Sequence, residues 1–210
     1  MYIYKKKAFT LAEVLITLGI IGVVAALTMP SLIANYKKRV LTTRIKRFYS
    51  CYTQAYNMKI ANDGELDTSM LTAIDDPDVA MNFFNVNYAP YIKTLKTEKT
   101  AKGMAAALPD GSGLYIRKSN TPLFSTSATY IVFCVDYEKC KNMNETQMYN
   151  WVNSKDTFIF WNGPGLATAV GWDGSREDLI SRCKAGNHEL CTTLIAFDGW
   201  EIKDDYPIKF

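Results

Sequence analysis

Histidine is nearly missing from this chain: of 210 residues, only His188 carries an imidazole. That scarcity argues against a histidine-rich metal site. It argues equally against a Ser/His or Cys/His catalytic pair, since such sites need a base tuned near neutrality or several imidazole ligands. No CxxC pair occurs among the five cysteines, so disulfides are the default reading if the body lies outside the cytoplasm. Internal repeats and low-complexity segments are missing too, and the composition is neither disordered nor collagen-like. Acidic residues are scarce at one end only. Residues 1–50 hold nine basic residues and one acidic one, a net charge of +8, whereas residues 51–210 hold 15 basic and 20 acidic residues, a net of −5. A basic stem therefore precedes a mildly acidic body.

What the front end does have is an apolar run of membrane length. Phe9 to Met29 contains 21 residues with Glu13 as its only charge, preceded by Lys5, Lys6 and Lys7. A helix of that length spans about 30 Å, the hydrocarbon thickness of a bilayer. Two plain readings are a secretory signal peptide cut after Ala25 or Ala26 and a signal anchor with an incidental carboxylate. The run is long for the roughly 7–15 apolar residues of a signal peptide. A carboxylate inside it also opposes insertion. Gly19, Gly22 and Ala25 recur every three residues, a small-residue stripe that permits close helix approach, although membrane helices use glycine freely in any case. Pro30 is expected to break or kink the helix near the membrane exit.

The order of these features resembles the N-terminus of the type IV pilin and pseudopilin family. The residues that carry the resemblance are Lys5-Lys6-Lys7-Ala8, then Phe9-Thr10-Leu11-Ala12-Glu13-Val14-Leu15, then the apolar run to Pro30. Ala8 stands where the family usually has glycine. The resemblance implies that a prepilin peptidase cuts between Ala8 and Phe9 and methylates the new amine. It implies that the subunit enters a filament through its N-terminal helix, with Glu13 meeting the N-terminal amine of a neighbour and setting axial register. Gly19, Gly22 and Pro30 join Glu13 as assembly positions. A lone buried charge is strongly disfavoured unless paired, which gives that docking role a physical motive.

Beyond the apolar run, Leu41, Ile45, Phe48, Tyr52, Ala55 and Tyr56 recur at three- and four-residue spacing and predict an amphipathic helix packed on the body. Lys37, Lys38, Arg39, Arg44, Lys46 and Arg47 cover its other side. That face suits solvent, the acidic body of a neighbour, nucleic acid or anionic lipid. Asn62-Asp63-Gly64 ends the helix. Pro77–Leu95 reads as a helix interrupted near Pro90. Leu108-Pro109-Asp110-Gly111 reads as a hairpin turn between Met104–Leu108 and Gly113–Lys118. Thr129–Val135, Thr157–Trp161 and Thr192–Phe197 read as further strands.

A long helix followed by an antiparallel sheet gives an α+β chain, the lollipop shape of the family. The expected divisions are a leader at 1–8, a transmembrane and filament-core helix at 9–29, an amphipathic stem at 30–61 and a globular head at 62–210. Head segments also resemble pseudopilin-type proteins: Leu108–Ile116, Val135-Asp136, Asp156–Phe160, and the tail from Cys183 through Ile202 to Pro207. Cys183 with Cys191 is the first disulfide candidate and Cys134 with Cys140 the second, with Cys51 left as a buried thiol on the packing side of the stem. No cofactor is expected. Because some pseudopilins bind calcium in a head loop, Asp136 and Asp156, helped by Glu138, Asn142 and Asn144, are calcium candidates.

Function on this reading is that of a structural filament subunit of a type IV pilus or a type II secretion pseudopilus, without catalysis of its own. Its partners would be homologous subunits, a prepilin peptidase, an inner-membrane assembly platform and the membrane itself. It would sit as a single-pass protein in the bacterial inner membrane, N-terminus cytoplasmic and head outside, before joining a periplasmic or surface filament. The alternative is a minor pilin that acts as a tip adhesin or a DNA-uptake module. The acidic body counts against nucleic acid, whose affinity comes largely from basic phosphate contacts.

Overall fold

The computed structural model describes residues 10–69, 71, 75–118, 129–143, 152–163, 165–167 and 174–210. The chain begins with one helix, α1 (Leu11–Asp63), 53 residues long. At 1.5 Å per residue it extends about 80 Å. It starts at a capping box, Thr10-x-x-Glu13, and ends where Gly64 adopts φ +84°, a left-handed conformation that favours glycine. Pro30 lies inside it, and the helical assignment continues through that position. The break or kink expected at Pro30 is therefore not a helix end. A proline in an interior turn removes one intrahelical bond, and helix on both sides carries the element across it.

Beyond α1 comes a short helix, α2 (Pro77–Asn87). Asp76 caps it, accepting from the amides of Asp78 and Val79, and Pro77 sits in the first turn, where no amide donor is required. It stops at Asn87, before Pro90, so the helix read over 77–95 is shorter than its sequence pattern. Tyr88–Tyr91 forms a turn instead. Buried Asn87 anchors this corner by accepting from the Asp67 amide at 2.8 Å and donating to the carbonyls of Asp67 and Phe83.

The sheet is an antiparallel meander in sequence order: β1 (Lys96–Lys99), β2 (Met104–Ala107), β3 (Gly113–Lys118), β4 (Thr129–Cys134), β5 (Thr157–Gly163) and β6 (Gly165–Ala167). The β2–β3 hairpin turns at Leu108–Gly111, with Gly111 at φ +82° and the Leu108 amide donating to the Ser112 carbonyl. A short helix, α3 (Tyr137–Lys141), follows β4. The C-terminal part holds α4 (Arg176–Lys184) and α5 (His188–Phe197). The strand expected at Thr192–Phe197 is thus a helix. Asn187 caps it by accepting from the Leu190 amide, and Leu190 to Ile195 are all buried. A short, wholly buried apolar run does not by its periodicity distinguish strand from helix, and here the cap decides.

Both sheet faces are covered. Met104, Ala106, Leu114, Ile116, Ile131, Phe133, Phe158 and Phe160 face the core shared with α1, α2, α4 and α5. Their alternate neighbours Ala105, Tyr115, Tyr130, Val132, Ile159 and Trp161 form a second cluster with Cys140, Met143 and Val152. The stem stripe enters the first core as its spacing predicts: Leu41, Ile45, Phe48, Tyr52 and Ala55 are buried. The Phe48 ring lies 5.0 Å from Phe133 and 5.6 Å from Phe160, and Tyr52 stacks 4.4 Å from Tyr88. Burying each such side chain contributes about 1.5–3 kcal/mol, so the stem is a structural part of the head.

Candidate functional site

The head grips only the C-terminal half of α1. Between Leu11 and Ile33, thirteen large apolar side chains are each at least 44 % exposed. Soluble domains rarely expose a contiguous apolar surface on this scale. The apolar section of α1 is long and hydrophobic enough to cross a membrane, with a mean hydropathy of 2.3 over its best 18-residue window. Cβ atoms built at Gly19 and Gly22 meet nothing within 4 Å, so both glycines lie on open helix surface.

At the start of α1, Glu13 folds back on Thr10. Its Oε2 accepts from the Thr10 amide at 2.9 Å and from the Thr10 hydroxyl at 2.8 Å, while Thr10 Oγ1 accepts from the Glu13 amide. Within one chain, then, the carboxylate serves as a helix cap. The Thr-x-x-Glu spacing before an apolar run is the sequence signal for it, and the reading of Glu13 as a docking charge passed over that signal. Ala8 and Phe9 lie outside the described residues.

The basic side of the stem stands largely free of the head. Lys38 pairs with Asp204 at 3.2 Å. Arg39, Arg44, Lys46 and Arg47 make no ion pair among the described residues, and Arg44 only reaches the Val135 carbonyl at 3.5 Å. Arg39, Arg44 and Arg47 line one groove with Leu32, Tyr36 and Asp110, about 640 Å³ in volume. Burial pushes the Asp110 carboxyl up, but the Ser112 hydroxyl and amide together with the Arg44 and Arg47 charges outweigh it and hold the group below its usual range.

The structure joins Cys134 to Cys140 and Cys183 to Cys191. The first ties α3 to β4; the second ties α4 to α5, where a strand was expected to be stapled. Cys51 is free and exposed, not buried as its place beside Tyr52 suggests. One residue along a helix is a 100° rotation, enough to carry Cys51 off the packed face. Among the calcium candidates, Asp136 caps α3 through the Glu138 amide and Asp156 pairs with Lys139 at 2.5 Å. Asn142 donates to the Glu138 carbonyl, and Asn144 lies outside the described residues. Among the described residues no cluster of metal-ligating side chains forms.

Two polar clusters escaped the sequence. Ser154 Oγ lies 3.0 Å from His188 Nδ1, a long-range contact for which the sequence carries no local signal. Ser154 is fully buried, at φ +54°, and its hydroxyl also donates to the His188 carbonyl, so the pair fixes the start of α5 against the β5 approach. Burial holds His188 below its usual pKa and pushes the adjacent Glu189 carboxyl up to about 7. Arg176 makes paired hydrogen bonds to Asp198 and to Asp205, all between 2.7 and 2.8 Å, and Lys203 adds a further bond to Asp198. This clamp ties the start of α4 to the chain after α5.

Residues 3–29 match the model of the prokaryotic N-terminal methylation motif. With a long apolar helix and an antiparallel α+β head, that motif supports a likeness to the type IV pilins and pseudopilins and points to a structural subunit. Residues 31–210 match the model described as "Family of unknown function (DUF6613)", which covers most of the chain, and the chain belongs to that family. No curated protein and no solved structure matches it.

Proposed function

We propose that the chain is a structural subunit of a type IV pilus-like filament or a type II secretion pseudopilus. On this reading a prepilin peptidase cuts it between Ala8 and Phe9 and methylates the Phe9 amine. Neighbouring subunits then assemble through the apolar part of α1. The observation that supports it most is the pairing of a methylation motif at residues 3–29 with a helix that the head leaves bare from Leu11 to Ile33. A surface of that kind needs either lipid or other copies of itself. No catalytic role is proposed.

Glu13 then has two partners in turn. In the single subunit it caps Thr10; in the filament it would exchange part of that bonding for the methylated amine of an adjoining copy, a charge pair in low dielectric. The test is mass spectrometry of protein purified from a host with a prepilin peptidase, followed by electron microscopy of sheared filaments. The expected mature chain begins at N-methyl-Phe9. Glu13→Ala is expected to be cut normally and to give no filaments. A mature chain that begins at Met1 or Ala26 overturns the reading.

A further inference from the structure

The groove at the root of the head joins two chemistries that filament packing alone does not require. Its lower wall is Leu32 and Tyr36, both 69 % exposed, at the end of the bare apolar helix. Its upper wall is Arg39, Arg44 and Arg47, closed at the far end by Asp110. Ile33 is the last exposed aliphatic residue of the membrane-length run. Arg39 stands six residues further, about 9 Å along the axis. The headgroup layer adds about 5–7 Å beyond the hydrocarbon on each side, so the Arg39 Cα lies just outside it, within reach of a side chain that extends back toward the membrane. Helical side chains lean toward the N-terminus, here toward the membrane, so the Arg44 guanidinium is carried down toward the same level. Tyr36 sits where an amphipathic ring marks a membrane–water boundary. None of the three guanidiniums has a carboxylate within ion-pair distance among the described residues; Asp110 faces Arg44 and Arg47 at longer range, so three positive charges meet one negative one in the groove.

We propose that this groove binds the phosphate headgroup of an anionic phospholipid from the leaflet through which the stem emerges, with Arg39 and Arg44 on the phosphate and Leu32 and Tyr36 along the acyl chain. The inference rests on the reading of α1 as membrane-spanning. Planar guanidinium forks suit a phosphodiester, and a lipid so held orients the head over the bilayer before assembly. Lys46 lies outside this groove; it lines a neighbouring one with Trp200 and Glu201 that shares Arg39 but neither Arg44 nor Arg47, and it serves as a control of equal charge.

The experiment uses the full chain in neutral detergent, after extraction from membranes has shown that it resides there. Phosphatidylglycerol and phosphatidylcholine with identical acyl chains are titrated in turn, and bound lipid is counted by native mass spectrometry. Neutralising one basic residue near an anionic surface lowers affinity about five-fold. The wild type is expected to hold phosphatidylglycerol at least ~10-fold more tightly than phosphatidylcholine, with the preference falling as salt rises. Arg39→Gln with Arg44→Gln is expected to lose it, Arg39→Lys with Arg44→Lys to keep most of it, and Lys46→Gln to change it less than two-fold. Three results overturn the groove: equal retention of the two lipids by the wild type, a double Gln variant that keeps its preference, or a Lys46→Gln loss as large as that of the double Gln variant. Loss of subunit cross-linking in the double Gln variant, with lipid preference unchanged, also overturns it and assigns the groove to a neighbouring copy. A chain that never enters the membrane fraction instead defeats the reading of α1, and it does so before any lipid is added.

Discussion

Glu189 shows how one side chain ties stability to pH. It follows His188 in the first turn of α5, and among the described residues its carboxylate has no ion-pair partner. Burial pushes it from 4.5 up to about 7. Between those values the folded protein keeps a proton that the unfolded chain has released, so stability falls as pH rises through that window and is flat above it. Each pKa unit corresponds to about 1.4 kcal/mol, which makes the loss about 3–4 kcal/mol. Glu189→Gln keeps the shape and removes the ionisation. Urea denaturation should show the variant more stable than the wild type by about that amount at pH 8, and little different at pH 5; an equal difference at both pH values sinks the assignment. Legibility at this scale depends on sequence distance. The Thr10–Glu13 cap is written in four consecutive positions. The Ser154–His188 contact joins residues 34 apart, and only the completed fold brings them together.

Elements were legible wherever a local signal was unambiguous. The three- and four-residue stripe of Leu41 to Ala55 marks a helix face, Pro109-Asp110-Gly111 marks the β2–β3 turn, and β4 and β5 are β-branched and aromatic runs. The α5 segment was not legible, because Thr192-Thr193-Leu194-Ile195 has strand composition while its environment is buried on every side. The cap at Asn187, the left-handed Gly186 at φ +94° and the Cys183–Cys191 bridge set up a helical hairpin that overrides that propensity. The bridge closes a short loop, with Cα atoms 4.8 Å apart. Chain entropy gives such a closure about 2–3 kcal/mol. Replacing both Cys183 and Cys191 with Ser should lower unfolding free energy in urea by that amount and leave α1 packed. An unchanged stability would show that the reduced chain is already as constrained as the oxidised one.

At the scale of the whole molecule, the bare and the packed halves of α1 make opposite demands on solvent. The sequence announced the division through its charge, with a lone carboxylate from Leu11 to Asn35 and then a run of basic residues. What it could not announce was where the head would take hold, since that depends on which side chains the sheet accepts. The first stem side chain to be buried is Leu41, and from there Ile45, Phe48, Tyr52 and Ala55 complete a core with β2 to β5. Everything that core needs therefore lies downstream of Tyr36, and the exposed apolar section contributes nothing to it. A fragment spanning residues 36–210 should be soluble without detergent. It should sediment as a monomer and keep the cooperative unfolding of the head, with a melting temperature within a few degrees of the detergent-solubilised full chain. The full chain, by contrast, should need detergent or lipid, because more than twenty residues of exposed apolar helix remain after the head has folded. Sedimentation velocity and calorimetry on the two forms separate the outcomes. A fragment that unfolds or aggregates would mean that the apolar section supports the head, and the separation of an anchor from a self-sufficient head would be wrong.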